Sequence, residues 1–204
     1  LYAATGTLNM ADMAARLTTL DQNASVQVGF AFIMAGLGIK AAMFPLHGWL
    51  PGAYAGAPSL IALFLAATAT KSAIYLMARF LFEVFPDGTA FGSVFLAWVL
   101  GPLAAAGAIV CSFQALFERE VRRIIAFSSI AQVGFIFMGF ALGTAQGVSA
   151  ALFYMVAHGL MKATMFMALG AVAINLGARR LDDLAGIARE APWTAVAFAV
   201  GAAS

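Results

Sequence analysis

Three lysines, Lys40, Lys71 and Lys162, stand inside stretches otherwise fit only for lipid, and no acidic residue shares any of those stretches. An ionisable side chain near the centre of a bilayer costs about 2.5–3.5 kcal/mol on insertion scales, so it marks a functional site by default. A buried lysine that can lose and regain its proton near neutral pH can relay one. His158 lies four residues before Lys162, which places both on one face of a helix. Histidine titrates near neutrality and passes protons on readily. The chemistry these residues suggest is proton transfer through a membrane. Lys40, Lys71, His158 and Lys162 are the proton-transfer candidates, with His47, Ser128 and Gln132 as supporting polar groups.

Each has a plainer reading. Lys40 could snorkel along its stem to the nearer interface. Lys71 is about 13 residues into its stretch, hence about 20 Å from the entrance, where snorkelling fails; a structural pair with a carboxylate elsewhere is its alternative. His158 could be a hydrogen-bonded core histidine beside a helix-packing lysine. Ser128 and Gln132 are also ordinary interhelical glue.

The elements that must position these groups are transmembrane helices. The chain is 63% hydrophobic and 10% charged, with a mean hydropathy of +0.95. Soluble domains carry about 25% charge. Lipid tolerates only helices and closed barrels, and the period-two alternation of a barrel is missing. The expected fold is all-α: a polytopic transmembrane bundle with a broken helix, within an inverted-repeat transporter architecture. A net charge of +2 gives no reason to expect nucleic acid as a partner. Lone Cys111 excludes an internal disulfide, and two histidines are too few for a structural metal site of four protein ligands. Neither a metal nor a cofactor is expected.

Spans are expected over Val26 to Phe44, Pro58 to Phe82, Phe91 to Leu116, Ile124 to Leu142 and Val148 to Leu176, with a short sixth opened by Pro192. Pro45 and Pro51, with Gly48 and Gly52 between and after them, predict a helix break, because proline removes a donor and clashes with the preceding turn. Broken helices commonly mark transporter ion sites. Pro86-Asp87-Gly88 predicts a turn. Leu181, Leu184 and Ile187 predict a short interfacial helix within Arg179 to Glu190. Residues 1–204 read as one membrane domain. The missing initiator Met and the short final apolar run predict a piece of a larger protein. Arg119, Arg122, Arg123, Arg179, Arg180 and Arg189 fall on one side, and the positive-inside rule places that side in the cytoplasm.

Several patterns carry little. Gly36 to Ala41 fits the loose dinucleotide fingerprint but follows no strand. Gly139 and Gly143 form a GxxxG that points to close helix packing rather than a dimer face. Asn23-Ala24-Ser25 is a glycosylation sequon in letters only.

The ordered set of motifs resembles a known superfamily. Lys40-Ala41-Ala42-Met43-Phe44-Pro45-Leu46-His47-Gly48-Trp49-Leu50-Pro51, then Ala53-Tyr54 and Ala57-Pro58, resembles the signature of antiporter-like proton-conducting membrane subunits. These occur in NADH–quinone oxidoreductase (complex I), membrane-bound hydrogenases and multisubunit monovalent cation/proton antiporters. Thr70 to Tyr75, Arg123 to Gly134 and His158 to Ala163 extend the match. Leu181 to Gly186 with Pro192-Trp193-Thr194 look closest to the D-type antiporter subunits. Gly52, Ala157 and Arg122 depart from residues frequent in that family.

The resemblance implies a fold of about fourteen helices with two inverted five-helix repeats, of which this chain covers the end of the sixth to the start of the twelfth. It also implies that Lys40, Lys71 and the pair His158–Lys162 correspond to the lysines of the broken helix, of the next helix and of the later relay. The implied function is proton translocation within a monovalent cation (Na+)/proton antiporter, by a transporter component rather than an enzyme. The homologous component of complex I or a membrane-bound hydrogenase is the alternative, and a passive membrane scaffold is the alternative of another class. The implied partners are other membrane subunits, protons, sodium as the candidate counter-ion, and the lipid bilayer of a bacterial plasma membrane.

Overall fold

The computed structural model describes residues 1–20, 24–85, 94–177 and 180–203. Helices α1 (Tyr2–Thr5), α2 (Met10–Leu17) and α3 (Ala24–Lys40) lead to a gap at residues 41–48. Then follow α4 (Trp49–Gly56), α5 (Ser59–Val84), α6 (Phe95–Phe117), α7 (Val121–Ala141) and α8 (Ala145–Leu176), with a single turn, α9 (Ile187–Glu190), before α10 (Pro192–Ala203). No β-strand occurs among the described residues. Helices α5 to α8 are long and apolar enough to cross a membrane. The 32 residues of α8 make a helix of about 48 Å. A bilayer core is about 30 Å thick, so α8 must tilt or emerge from it.

Local sequence explains most of the ends. Asn9 caps α2 by accepting from the amides of Ala11 (2.9 Å) and Asp12 (3.4 Å). Arg16 pairs with Asp12 at 3.0 Å and donates to the carbonyl of Thr5 at 2.8 Å; its hydrogen bond holds the exposed Asp12 carboxyl below the usual range. Thr144 caps α8 through the amide of Gly147. Gly143 closes α7 and Gly177 closes α8, both at positive φ, where glycine carries no steric penalty.

Two apolar clusters hold the bundle. In one, the ring of buried Phe30 meets Phe85 edge-on at 4.7 Å and Phe95 at 5.3 Å, joining α3 to the facing ends of α5 and α6. The other gathers Tyr54, Ala66, Ile125, Ile130 and Phe166. Glycines let backbones touch. A Cβ on Gly134 would stand 2.7 Å from the carbonyl of Ala104 in α6, and one on Gly139 would stand 2.9 Å from the Cβ of Ala151 in α8. Gly139 therefore serves packing between α7 and α8 of one chain. Phe32, Trp98, Phe153 and Leu160 stay exposed on the outer surface, as lipid-facing or partner-facing residues do.

The structure departs from expectation in three places. Helix α3 stops at Lys40, short of Phe44. Pro51 lies in the first turn of α4 rather than in the gap; first-turn residues need no amide hydrogen, so proline fits there. Between Arg180 and Glu190 there is a 3-10 turn at Asp182–Leu184 and the single turn α9, separated by Gly186 at φ 86°, in place of one interfacial helix. The Pro86 to Gly88 turn, Asn23 of the sequon and Arg179 lie outside the described residues.

Candidate functional site

At the gap, Ala42 takes a φ of 55° and the Phe44–Pro45 bond is cis. A broken helix frees carbonyls that need donors. The carbonyl of Ile39 receives the amide of Ala42 at 3.0 Å and the indole N–H of Trp49 at 2.8 Å. Trp49 thus satisfies the backbone beside Lys40 from the far side of the gap. Lys40 itself is exposed at the last position of α3, where the negative end of the helix dipole favours a cation. Pro45 lies in the gap. Half-buried His47 stacks on Phe44 with ring centres 5.3 Å apart, and Phe44 packs on Gly107, where a Cβ would be 2.8 Å away.

Lys71 is 8% exposed. It follows a π-helical turn at Leu65–Ala69, and its ammonium donates to the carbonyl of Ala66. A π turn holds one extra residue and loosens the local ladder, and such turns recur at functional sites. Here the widened turn supplies an acceptor that an ordinary helix would have committed to its own amide. Gly159 of α8 lies against this turn: a Cβ there would meet the carbonyl of Ala67 at 3.1 Å and Cε of Lys71 at 3.8 Å.

His158 is fully buried, and neither ring nitrogen has a partner among the described residues. Its ring lies nearly parallel to that of Tyr154, centres 6.5 Å apart. Lys162 is 4% exposed and donates to Oγ of Ser128 in α7 at 3.0 Å. Tyr154 donates to Oε1 of Gln132. A cavity of about 310 Å³ is lined by Ser128, Gln132, His158 and Lys162, with Val121 and Leu181 toward one end. Liquid water takes about 30 Å³ per molecule, so several fit. Gly159, next to His158 in α8, brings the α8 backbone against the Lys71 side chain.

The structure thus gathers Lys71, His158, Lys162, Ser128 and Gln132 across α5, α7 and α8. Lys40, Pro45 and His47 sit together at the gap instead. Sequence reading misses Tyr154, although its spacing of four from His158 is available there. It also misses the bonding of Arg122, which donates to the carbonyl of Ala57 at 2.9 Å and to Oγ of Ser59 at 2.6 Å, tying the α4–α5 junction to α7. Among the described residues no group of three His, Cys, Asp or Glu side chains could hold a metal ion.

The family described as NADH:quinone oxidoreductase/Mrp antiporter, transmembrane, matches residues 1–204. The chain belongs to that family. It is an integral, multi-pass membrane protein. The chain is 43% identical to the N subunit of the NADH-quinone oxidoreductase of Desulforudis audaxviator, with 100% of this chain covering 40% of that protein. It is 30% identical to the D subunit of the Na(+)/H(+) antiporter of Alkalihalophilus pseudofirmus, with 100% covering 41%. Among solved structures, a chain of the membrane-bound sulfane sulfur reductase, an archaeal respiratory membrane complex, superposes with a TM-score of 0.90 at 38% identity. That match covers 98% of this chain and 40% of the other. A chain of the Mrp complex from Dietzia gives 0.87 at 34% identity, over 98% and 36%. The chain therefore spans about two fifths of its relatives' length. The identity to the oxidoreductase relative exceeds that to the antiporter relative, so the complex I alternative stands ahead of the antiporter reading drawn from the motifs.

Proposed function

We propose that this chain is part of a proton-conducting component of a redox-coupled membrane complex, of the kind that contains the N subunit of NADH–quinone oxidoreductase. The observation that carries the reading is the placement of Lys71, His158 and Lys162, all buried on facing stretches of α5 and α8. Ionisable groups at such depth are costly and are kept for charge movement. Lys71 hands a proton to His158, whose two ring nitrogens let it accept on one side and release on the other. Lys162, steadied by Ser128, takes the proton toward the cavity of about 310 Å³ beside it. A change of charge near Lys40 and the gap biases each transfer through its field. Electron carriers belong to partner subunits; the role of this chain is the proton path alone.

The 43% identity to the oxidoreductase relative and the likeness to a respiratory sulfane sulfur reductase support the redox-coupled form. A D-type component of a monovalent cation/proton antiporter is the second reading, favoured by the 30% identity to such a protein and by the Mrp neighbour. Copurification of flavin and iron–sulfur clusters with the intact assembly separates them.

The test of the proton path uses the complete complex in proteoliposomes. Lys71→Ala is expected to abolish proton flux while partner subunits still copurify. Lys71→Arg is expected to fail as well, because arginine keeps its charge but cannot release the proton. Normal flux in Lys71→Arg would overturn the relay. Intact assembly with full flux after replacing all three lysines would leave a passive scaffold.

A further inference from the structure

Helices α7 and α8 meet through a series of paired residues. Gly139 lies against Ala151, Gln132 accepts from the hydroxyl of Tyr154, and Ser128 accepts from Lys162. The pairs advance in opposite directions along the two helices, as an antiparallel hairpin requires. His158 falls between the last two pairs, four residues from Tyr154 and four from Lys162, and has no such partner on α7. It is fully buried, and neither ring nitrogen is hydrogen-bonded among the described residues. A neutral imidazole offers one donor and one acceptor, and leaving both unmet in a buried place is costly. The cavity of about 310 Å³ lies at this level. Ser128, Gln132, His158 and Lys162 line it together with Phe198 and Gly201 of α10, and no carboxylate is in its lining. Such a space is roomy and polar enough for water. Tyr154 is not part of the lining. Its ring lies within 15° of parallel to that of His158, a contact that phenylalanine would keep. The hydroxyl therefore serves Gln132 rather than the packing.

We propose that Tyr154 is a positioning residue for proton release from His158: by occupying the carbonyl oxygen of Gln132, it turns the amide N–H2 of Gln132 toward a water held in the cavity between His158 and Lys162. The inference rests on the proton-path reading. His158 and Lys162 are one helical turn apart, about 5–6 Å between Cβ atoms, a span that one water bridges. That water accepts from the amide of Gln132 and from the N–H of His158, which fills its two lone pairs. Its own hydrogens are then left to point at Lys162 and the rest of the cavity. Transfer follows as an exchange of bonds. The His158 N–H bond breaks as the water gains that proton, and a water O–H bond breaks as the amine of Lys162 gains another. The water ends neutral. A carbonyl oxygen at the same place would attract the water's hydrogens and compete with Lys162 for them. Tyr154 prevents this because it keeps that oxygen occupied.

The test compares Tyr154→Phe, Gln132→Leu, the double variant, Lys71→Ala and the unaltered complex in proteoliposomes. Tyr154→Phe keeps the ring beside His158, so copurification and melting temperature are expected to hold. Proton flux is expected to fall by up to about tenfold, the scale of one lost hydrogen bond, with an altered pH profile. Gln132→Leu removes the amide itself and is expected to cost at least as much. The double variant is expected to match Gln132→Leu, because residues that act through one another do not add. A density map of the unaltered complex fine enough to show waters should carry one within hydrogen-bond distance of both Gln132 and His158. Unchanged flux and pH profile in Tyr154→Phe, with Lys71→Ala inactive, would overturn the role of Tyr154 alone. Losses that multiply in the double variant would overturn its action through Gln132. Such a map with other buried waters resolved and none at this position would overturn the proposal whatever the variants do. Full flux in Lys71→Ala would instead remove the proton path itself.

Discussion

The ammonium of Lys162 reaches 3.0 Å across the α7–α8 interface to the hydroxyl of Ser128. The two residues are 34 positions apart in the chain, and each sits well inside its helix. Lysine is held here by a neutral oxygen, and a neutral oxygen does not lock the proton in place as a carboxylate would.

Ser128→Ala leaves that ammonium without its partner. A hydrogen bond to a charged group is worth roughly 1.5–3 kcal/mol, so proton flux is expected to drop at least several-fold in the assembled complex. Ser128→Thr, which restores the oxygen, should recover most of it. Equal flux in both variants would show that Lys162 finds other support.

Gly159 sets the distance between α8 and the widened turn of α5. With a Cβ placed 3.1 Å from the carbonyl of Ala67, alanine should be borne with slight loss. Leucine should push the helices apart at about 1–3 kcal/mol. Thermal melting of the purified complex and proton flux are the measurements, and both should fall in the order Gly159, Ala, Leu.

Trp49 donates its indole N–H to the carbonyl of Ile39 across the gap. Trp49→Phe keeps most of the bulk and removes the donor, at about 1 kcal/mol. Amide hydrogen exchange at Ala42 and Met43 should quicken, while exchange in α7 stays as it was. Equal protection at the gap in both proteins would show that the bond does not hold it.

Side of the membrane is tested with single cysteines. In a Cys111→Ser background, cysteines placed near Arg122 and Arg180 are expected to react only from the cytoplasmic face, following the arginines. The amide of Leu181 donates to the carbonyl of Arg119 at 3.0 Å, so both loops belong to one end. Labelling of either from outside sealed cells would reverse the orientation.

Some of this molecule is legible in its letters. Long apolar runs between charged loops mark the four spanning helices within a few residues, because in lipid the backbone has almost no other choice. The spacing of His158 and Lys162 puts them on one face, and a lysine as deep as Lys71 cannot be a surface residue. Other features leave no such trace. Leu65-Ala66-Ala67-Thr68-Ala69 gives no sign of a π turn, since nothing in those residues favours a wider turn over an ordinary one. Pro51 reads as part of the break because proline interrupts helices, while the same lack of an amide hydrogen suits a first turn. Arg122 reads as one more charge for orientation. Its bonds to Ala57 and Ser59 depend on where α4 ends, which only the packing decides. Gly186 conceals a positive φ that divides the segment expected to be one helix.

The widened turn of α5 has a consequence for chain length. Leu65–Ala69 amounts to a one-residue insertion absorbed without shifting the frame on either side. Deleting a residue there would restore an ordinary turn and leave Ser59 and Tyr75 facing as they do now. The same deletion within Thr70–Arg79 would re-phase everything after it by about 100°. Yet the tolerated deletion would return the carbonyl of Ala66 to the backbone ladder and strand the Lys71 ammonium. The acceptor that holds Lys71 is thus encoded by no side chain at all. It is encoded by a count, and a comparison that scores letters while closing gaps would discard it.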